Sequence, residues 1–163
     1  MEPLDRLIHA LESAVDNAVK KGDTDYVADN VRRTILMRTR RGEFLNGSGG
    51  LEKRSYKSES HKKKRAKLGL PIDRVTLFIG RVGVLEAMRA RSSFSAGQVT
   101  IEAGFLAGLS EARATEIAGY LDREGAGINH VTYPFVGLTE AEEEKIVQAL
   151  AARIGTNFNT TFQ

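Results

Sequence analysis

The run KRSYKSESHKKKRAK, from Lys53 to Lys67, limits the fold more than any other feature of this chain. It carries eight Lys/Arg residues against one Glu, and Tyr56 is its single aromatic. A segment of this kind buries too little apolar area to offset the entropy lost on ordering it. The core must therefore come from the sequence on either side. From Gly42 to Leu70 no apolar period is readable, and NGSGG (Asn46 to Gly50) reads as a turn or flexible loop. Residues 42–70 are accordingly expected to form a long, mobile, basic loop insertion.

The flanking sequence is rich enough to supply a core. The chain has 163 residues, 41% of them apolar and 28% charged, which suits one soluble domain. Aromatics are sparse and Trp is absent, leaving the interior to Leu, Ile, Val and Ala. With no cysteine there is no disulfide, thiolate metal site or Cys nucleophile, which suits a reducing cytoplasm. No stretch reaches the ~18 apolar residues of a membrane span, and the first residues lack the basic-then-apolar pattern of a secretory signal. The chain is expected to be made in the cytoplasm and to stay soluble until it assembles. Its charge is polarised: residues 1–70 hold 16 Lys/Arg against 10 Asp/Glu, and residues 71–163 hold 8 against 11. Such a molecule can meet a polyanion at one end and a basic partner at the other.

Leu4, Leu7, Ile8, Leu11, Val15, Ala18 and Val19 recur at three- and four-residue spacing and predict an amphipathic helix. Pro3 suits its first turn and Gly22 its end. Asp23 or Thr24 would cap a second helix that buries Val27, Val31 and Ile35, with Arg32, Arg33, Arg38, Arg40 and Arg41 on its other face. LGLPIDRVTLFIG (68–80) reads as extended chain. Val84–Ser93 and Gln98–Phe105 are expected to pair as a hairpin, with Val99, Ile101 and Ala103 on one face. A helix capped by Ser110 follows, carrying Ala114, Ile117, Ala118 and Leu121 and stopped by Gly125. In the last helix Thr139 and Glu142 form a T-x-x-E capping box, and Glu140, Glu143 and Glu144 complement the positive helix start. Ile146, Val147, Leu150, Ala151 and Ile154 would be its buried face and Gly155 its end. The sum is an α+β domain over residues 1–154: N-terminal helices, a small antiparallel sheet and a C-terminal helix packed on the sheet. Residues 155–163 form a polar tail, either frayed or an arm whose Phe158 and Phe162 plug into a neighbouring subunit.

Catalytic, cofactor and metal signatures are missing. His9, His61 and His130 are far apart and sit in no ligand motif. GSGG lacks the Lys-Ser/Thr of a phosphate loop, GRVG (80–83) lacks a strand–glycine–helix setting, and no G-x-S-x-G elbow occurs. The glutamates at 140–144 read as a cap. No cofactor and no enzymatic activity are expected. The candidates for contact with nucleic acid or an acidic partner are Lys53, Arg54, Lys57, Lys62, Lys63, Lys64, Arg65 and Lys67, which could neutralise phosphates without reading bases.

The order VTIEAGF, a helix ending in glycine (EIAGYLDREGAGI), then YPFVGLTEAEEEKIVQALAARI resembles the phage virion morphogenesis and tail-completion (neck) proteins. Their Pro-Phe-hydrophobic-Gly-Leu-Ser/Thr step into an acidic-capped final helix has its counterpart in Pro134, Phe135, Val136, Gly137, Leu138 and Thr139. The likeness covers residues 98–154 and extends loosely upstream through RRGEFLNG and LFIGRVGVLEAM. The Lys53–Lys67 run is longer and more basic than the family pattern requires. The resemblance implies a non-enzymatic structural protein of the virion neck, at the head–tail interface. It would form a homo-oligomeric ring, hexameric by analogy, that completes the tail. Its partners would be other copies of itself, a connector or head-completion protein, the tail terminator or tail tube protein, and DNA passing through the lumen, with no membrane. The alternative is a small basic nucleic-acid-binding module using the same Lys53–Lys67 segment.

Overall fold

The computed structural model describes residues 19–79, 82–95, 98–124 and 132–161. The helix expected over 4–19 falls outside them except for Val19, as do His9, His130, Gly125, the GR of GRVG and the Phe162 end of the tail. Among the described residues the fold is α+β, as expected: four helices and three antiparallel strand pairs.

The centre of the molecule is α1, Lys21–Arg40, 20 residues long. It buries Val27, Ala28, Val31, Ile35 and Leu36, the stripe its apolar period predicts. The helix begins earlier than the sequence suggested. Lys20 is the extended residue before it, Gly22 sits inside the first turn, and Asp23 and Thr24 are first-turn residues, not caps. The Thr24 hydroxyl donates to the Lys21 carbonyl, and Asp23 complements the positive end of the helix dipole. At the other end Gly42 takes φ +77°, the left-handed conformation that closes a helix, and donates to the Thr39 carbonyl at 2.9 Å. A side chain at Gly42 would also strike Arg74 Cβ at 2.8 Å, so two chain segments cross there.

The segment expected to be a featureless loop is structured. β1 (Glu43–Leu45) pairs antiparallel with β2 (Leu51–Lys53) across the Asn46–Gly50 turn, with Phe44 opposite Glu52. Asn46 Oδ1 accepts from the Ser48 hydroxyl and from the Ser48 and Gly50 amides, which explains why this glycine-rich loop closes tightly. Beyond β2 the basic run forms α2, Glu59–Lys67. Its apolar content gave no sign of a helix, because the contacts that hold it are polar.

Residues 68–80 were expected to be extended throughout, but the chain bends at 72–74 before burying Val75 and Leu77 and leading to a short pair, β3 (Phe78–Ile79) and β4 (Val82–Gly83). Val84–Ala87 is a 3-10 turn, where a strand was expected. Val84, Leu85, Ala87 and Met88 are all buried, which an alternating strand cannot achieve and a helical turn can. The hairpin itself is present: β5 (Arg89–Ser95) pairs with β6 (Gln98–Gly104) in register from Arg89 opposite Gly104 to Ser95 opposite Gln98. It lies along α1.

α3 (Ala112–Gly119) buries Ala114 and Ala118 and runs into a π turn, Tyr120–Glu124, that buries Leu121. Ser110 does not cap it. Glu111 precedes the helix, and the Ser110 hydroxyl accepts from the Leu106 amide instead. The last helix, α4 (Glu140–Thr161), packs against the layer formed by α1 and the strands, touching α1 along its length and the core through Ile146. It passes through Gly155, so the backbone at Phe158 belongs to the helix. Ile146, Leu150 and Ile154 are half-buried, but Val147 is 64% exposed and Ala151 is exposed. One facing helix covers only a narrow stripe, and those two residues lie beside it.

Candidate polyanion interface

α2 has no apolar face, so its placement needs a chemical explanation. Ser58 caps it, its hydroxyl accepting from the His61 amide. Lys64, Arg65 and Lys67 fall in its last turn, where positive charge offsets the helix dipole. The anchor is Arg65, only 4% exposed. Its Nε donates to the Pro71 carbonyl at 3.0 Å and its Nη2 to Thr76 Oγ1 at 2.6 Å. Its guanidinium lies 4.5 Å from the centre of the Tyr56 ring, a cation–π contact. The Tyr56 hydroxyl donates to the Thr76 carbonyl and accepts from the Thr76 amide. Burial pushes the Tyr56 phenol up, keeping it a protonated donor. Arg65, with the His61 ring packed 4.8 Å from the Tyr56 ring centre, therefore clamps the helix to the 71–76 segment.

With Arg65 inside, Lys63, Lys64 and Lys67 of the helix face solvent. Of the eight residues singled out in the sequence, Lys53, Lys57, Lys63, Lys64 and Lys67 are exposed, and among the described residues none has a carboxylate partner. Lys62 is half-buried and pairs with Glu59 at 2.6 Å. Arg54 is also half-buried. It bonds to Glu52 and the Thr132 carbonyl, and it stacks 5.6 Å from the Tyr133 ring centre. Arg65 and Arg54 are thus structural, a correction to the contact set. A lone arginine inside a lysine run, three residues after Lys62 and next to a tyrosine-bearing segment, was the available hint. The side chains of Phe158 and Phe162 lie outside the described residues.

Sequence reading also missed three cations. Met37, Arg40, Arg41, Glu43, Lys53, Arg54, Ser55, Asp73 and Arg74 line an open cleft of about 690 Å³ between the end of α1, the β1–β2 pair and the 73–74 turn. The arginines arrive from the end of α1 and from the 73–74 turn, elements brought together only by the crossing at Gly42.

A second network holds the C-terminal step. Arg38, expected on the polar face of α1, is fully buried. It donates to the Phe135 carbonyl (2.9 Å), the Gly137 carbonyl (2.6 Å) and Glu142 Oε2 (2.5 Å), while its Nε has no partner among the described residues. Burial pushes the Arg38 guanidinium down, and Glu142 pulls it back up. The same Glu142 oxygen accepts from the Thr139 amide, and the Thr139 hydroxyl accepts from the Glu142 amide, so the capping box is built as expected. Phe135 is fully buried, and Gly137 takes φ +135° with Leu45 Cδ1 only 3.0 Å from where a Cβ would sit.

The far end of α4 is tied down by Asp23, which accepts from Arg153 at 2.8 Å and Asn157 at 2.5 Å, with Arg153 also stacked over Tyr26. Desolvation raises the Asp23 pKa, but these donors outweigh it and hold the carboxyl below the usual aspartate value. Because the folded value is depressed, its stabilisation is complete above about pH 5 and is lost as pH falls through the lowered pKa. Arg153 is 42% exposed on its side chain, so solvent screens the pair. Asp23→Asn should lower stability by about 1 kcal/mol, or roughly 2–4 °C in Tm, near neutral pH. Melts of both proteins between about pH 2 and 7 should show that difference closing on the acid side; a gap independent of pH counts against the assignment.

Among the described residues no cluster of His, Asp or Glu could hold a metal ion, and no helix is long and apolar enough to cross a membrane. No protein-family model matches the chain, and neither the curated proteins nor the solved structures compared with it include a similar protein.

Proposed function

We propose that this chain is a structural subunit of a tailed phage neck, a non-enzymatic, ring-forming protein that completes the tail and joins it to the head connector. The observation that carries the reading is a firmly held C-terminal step, in a chain that also presents an outward set of lysines. Phe135, Gly137 and the Thr139–Glu142 box make the turn and helix start by which the chain resembles neck proteins, and Arg38 clamps all three. Lys57, Lys63, Lys64 and Lys67 then provide an electrostatic docking face that the packing of the core does not require. In this reading copies of the chain form the ring, hexameric by analogy, between connector and tail terminator. The lysines face the lumen DNA or an acidic neighbouring ring.

The test is a Lys63→Gln/Lys64→Gln/Lys67→Gln variant. Surface changes of this kind should leave stability within about 0.5 kcal/mol. Joining of tails to heads by the purified variant should fall at least tenfold, since three cation contacts are worth about that at moderate salt. Mass measurement of the unaltered protein should find closed rings. A strictly monomeric protein that binds nucleic acid would favour the alternative of a small basic binding module, and undiminished joining by the variant would remove the lysines from the mechanism.

A further inference from the structure

We propose that the cleft at the end of α1 and the outward lysines of α2 form one continuous phosphate-binding face, whose ligand is the sugar–phosphate backbone of duplex DNA. This deepens the reading above by naming the partner of its basic face, and it rests on that reading.

The cleft is arranged for anions. Arg40, Arg41, Lys53 and Arg74 line it, with Arg54 beside them held by Glu52 and the Thr132 carbonyl, and its lining carboxylates are Glu43 and Asp73. Arg40 pairs with Glu86 at 3.3 Å, outside the cleft lining. Glu43 and Asp73 orient Arg41 and Arg74 without using them up. Arg41 places its Nε and Nη2 on one Glu43 oxygen, and Arg74 places its Nη1 on Asp73, so each guanidinium keeps N–H groups directed elsewhere. A guanidinium fixed in this way suits phosphate oxygens. Arg74 Nε also bonds to the Arg40 carbonyl, covering an oxygen at the negative end of α1 that would repel an anion. Lys53 has no carboxylate partner among the described residues.

Cleft and helix are continuous along the chain. Lys53, Arg54 and Ser55 on one wall lead directly into Tyr56 and Lys57, and Asp73 and Arg74 on the other lead into Val75 and Thr76. The walls are joined by the Val75 amide donating to the Arg54 carbonyl at 2.9 Å. Tyr56 and Thr76 are the groups that hold Arg65. The clamp that positions the lysines of α2 therefore also sets the cleft.

Two features favour a DNA backbone over an acidic protein or a single strand. Protein interfaces are organised around a desolvated apolar or aromatic centre, whereas Met37 is the one apolar residue lining the cleft. Single strands are held by bases stacked on aromatic rings, and Tyr56 is occupied internally by Arg65 and Thr76. Charge without a stacking platform is what backbone contact requires.

The experiment is fluorescence anisotropy of the full chain with a labelled random-sequence duplex, titrated over roughly 50–200 mM salt. Five unpaired lysines predict that log K falls with log salt at a slope of about −4 to −5. Lys63→Gln/Lys64→Gln/Lys67→Gln should flatten the slope by about three, and Lys53→Gln in the cleft by about one, with unrelated sequences bound equally. Arg113→Gln, on α3, should leave it unchanged. A slope shallower than about −2, a Lys53 variant no different from the Arg113 variant, or displacement by polyglutamate as effective as by duplex of equal charge would overturn the proposal. Rings without this slope would sink only the DNA assignment. The slope without rings would sink only the neck reading.

Discussion

Arg38→Met should cost about 3–5 kcal/mol and lower Tm by roughly 6–20 °C, the largest loss expected from any single substitution outside the apolar core. Methionine nearly fills the volume, so the effect isolates the hydrogen bonds. Without the guanidinium the Phe135 and Gly137 carbonyls and the Glu142 carboxylate lose their shared donor in a largely buried site. Arg38 also connects residues 97 to 104 positions apart, so its removal loosens the whole C-terminal step at once. The pairing with Glu142 is separable by a double-mutant cycle. Glu142→Gln alone should cost less, and the double variant should fall short of the sum of the two. Chemical denaturation of the four proteins measures this, and a loss below about 1 kcal/mol for Arg38→Met would show the clamp to be incidental.

Phe135→Ala is expected to cost about 3–5 kcal/mol. The ring is fully buried in the cluster formed by Ile35, Phe44, Val84, Met88 and Leu121, and it meets Phe105 edge-on with centres 5.9 Å apart. Its amide is held by Asp122 on the π turn, so ring and backbone together fix where α4 begins. The neighbouring Val136→Ala provides the control. Val136 is exposed, and its truncation should stay within about 0.5 kcal/mol. Hydrogen exchange adds a second readout: amides in the first turns of α4 should lose protection in the Phe135 variant along with the core. A variant that melts like the Val136 control would mean that the step is not anchored by its phenylalanine.

What was legible in the sequence was whatever apolar period or local capping chemistry decides. The Val27–Val31–Ile35 stripe and the Thr139–Glu142 box depend on neighbours in sequence and formed as read, the Asn46–Gly50 segment took the turn of its two alternatives, and the hairpin formed with its first strand shifted to Arg89–Ser95. The misreadings share another cause. Arg38 and Arg65 looked like surface charge because their partners, at Phe135, Gly137, Glu142, Pro71 and Thr76, become neighbours only in the fold. The helix over 59–67 was invisible for the same reason, since cation–π and carbonyl contacts leave no hydrophobic pattern. The cleft required Arg40 and Arg74 to meet across the Gly42 crossing, which no local rule anticipates. Val84–Ala87 failed as a strand because consecutive burial, unlike alternation, has no signature distinct from a helical turn.

The attachment of α2 through the Arg65–Tyr56 clamp has an evolutionary consequence. Because Arg65 holds the helix from inside, Lys57, Lys63, Lys64 and Lys67 are outside the hydrophobic core, and substitutions there carry almost no folding penalty. Selection can therefore add or remove charge on this face one residue at a time, grading the grip on a polyanion while the scaffold stays fixed. Arg65 is the opposite kind of position: lost once, it would release the whole row together. Variation should crowd onto the outward lysines of this helix and avoid the one arginine among them.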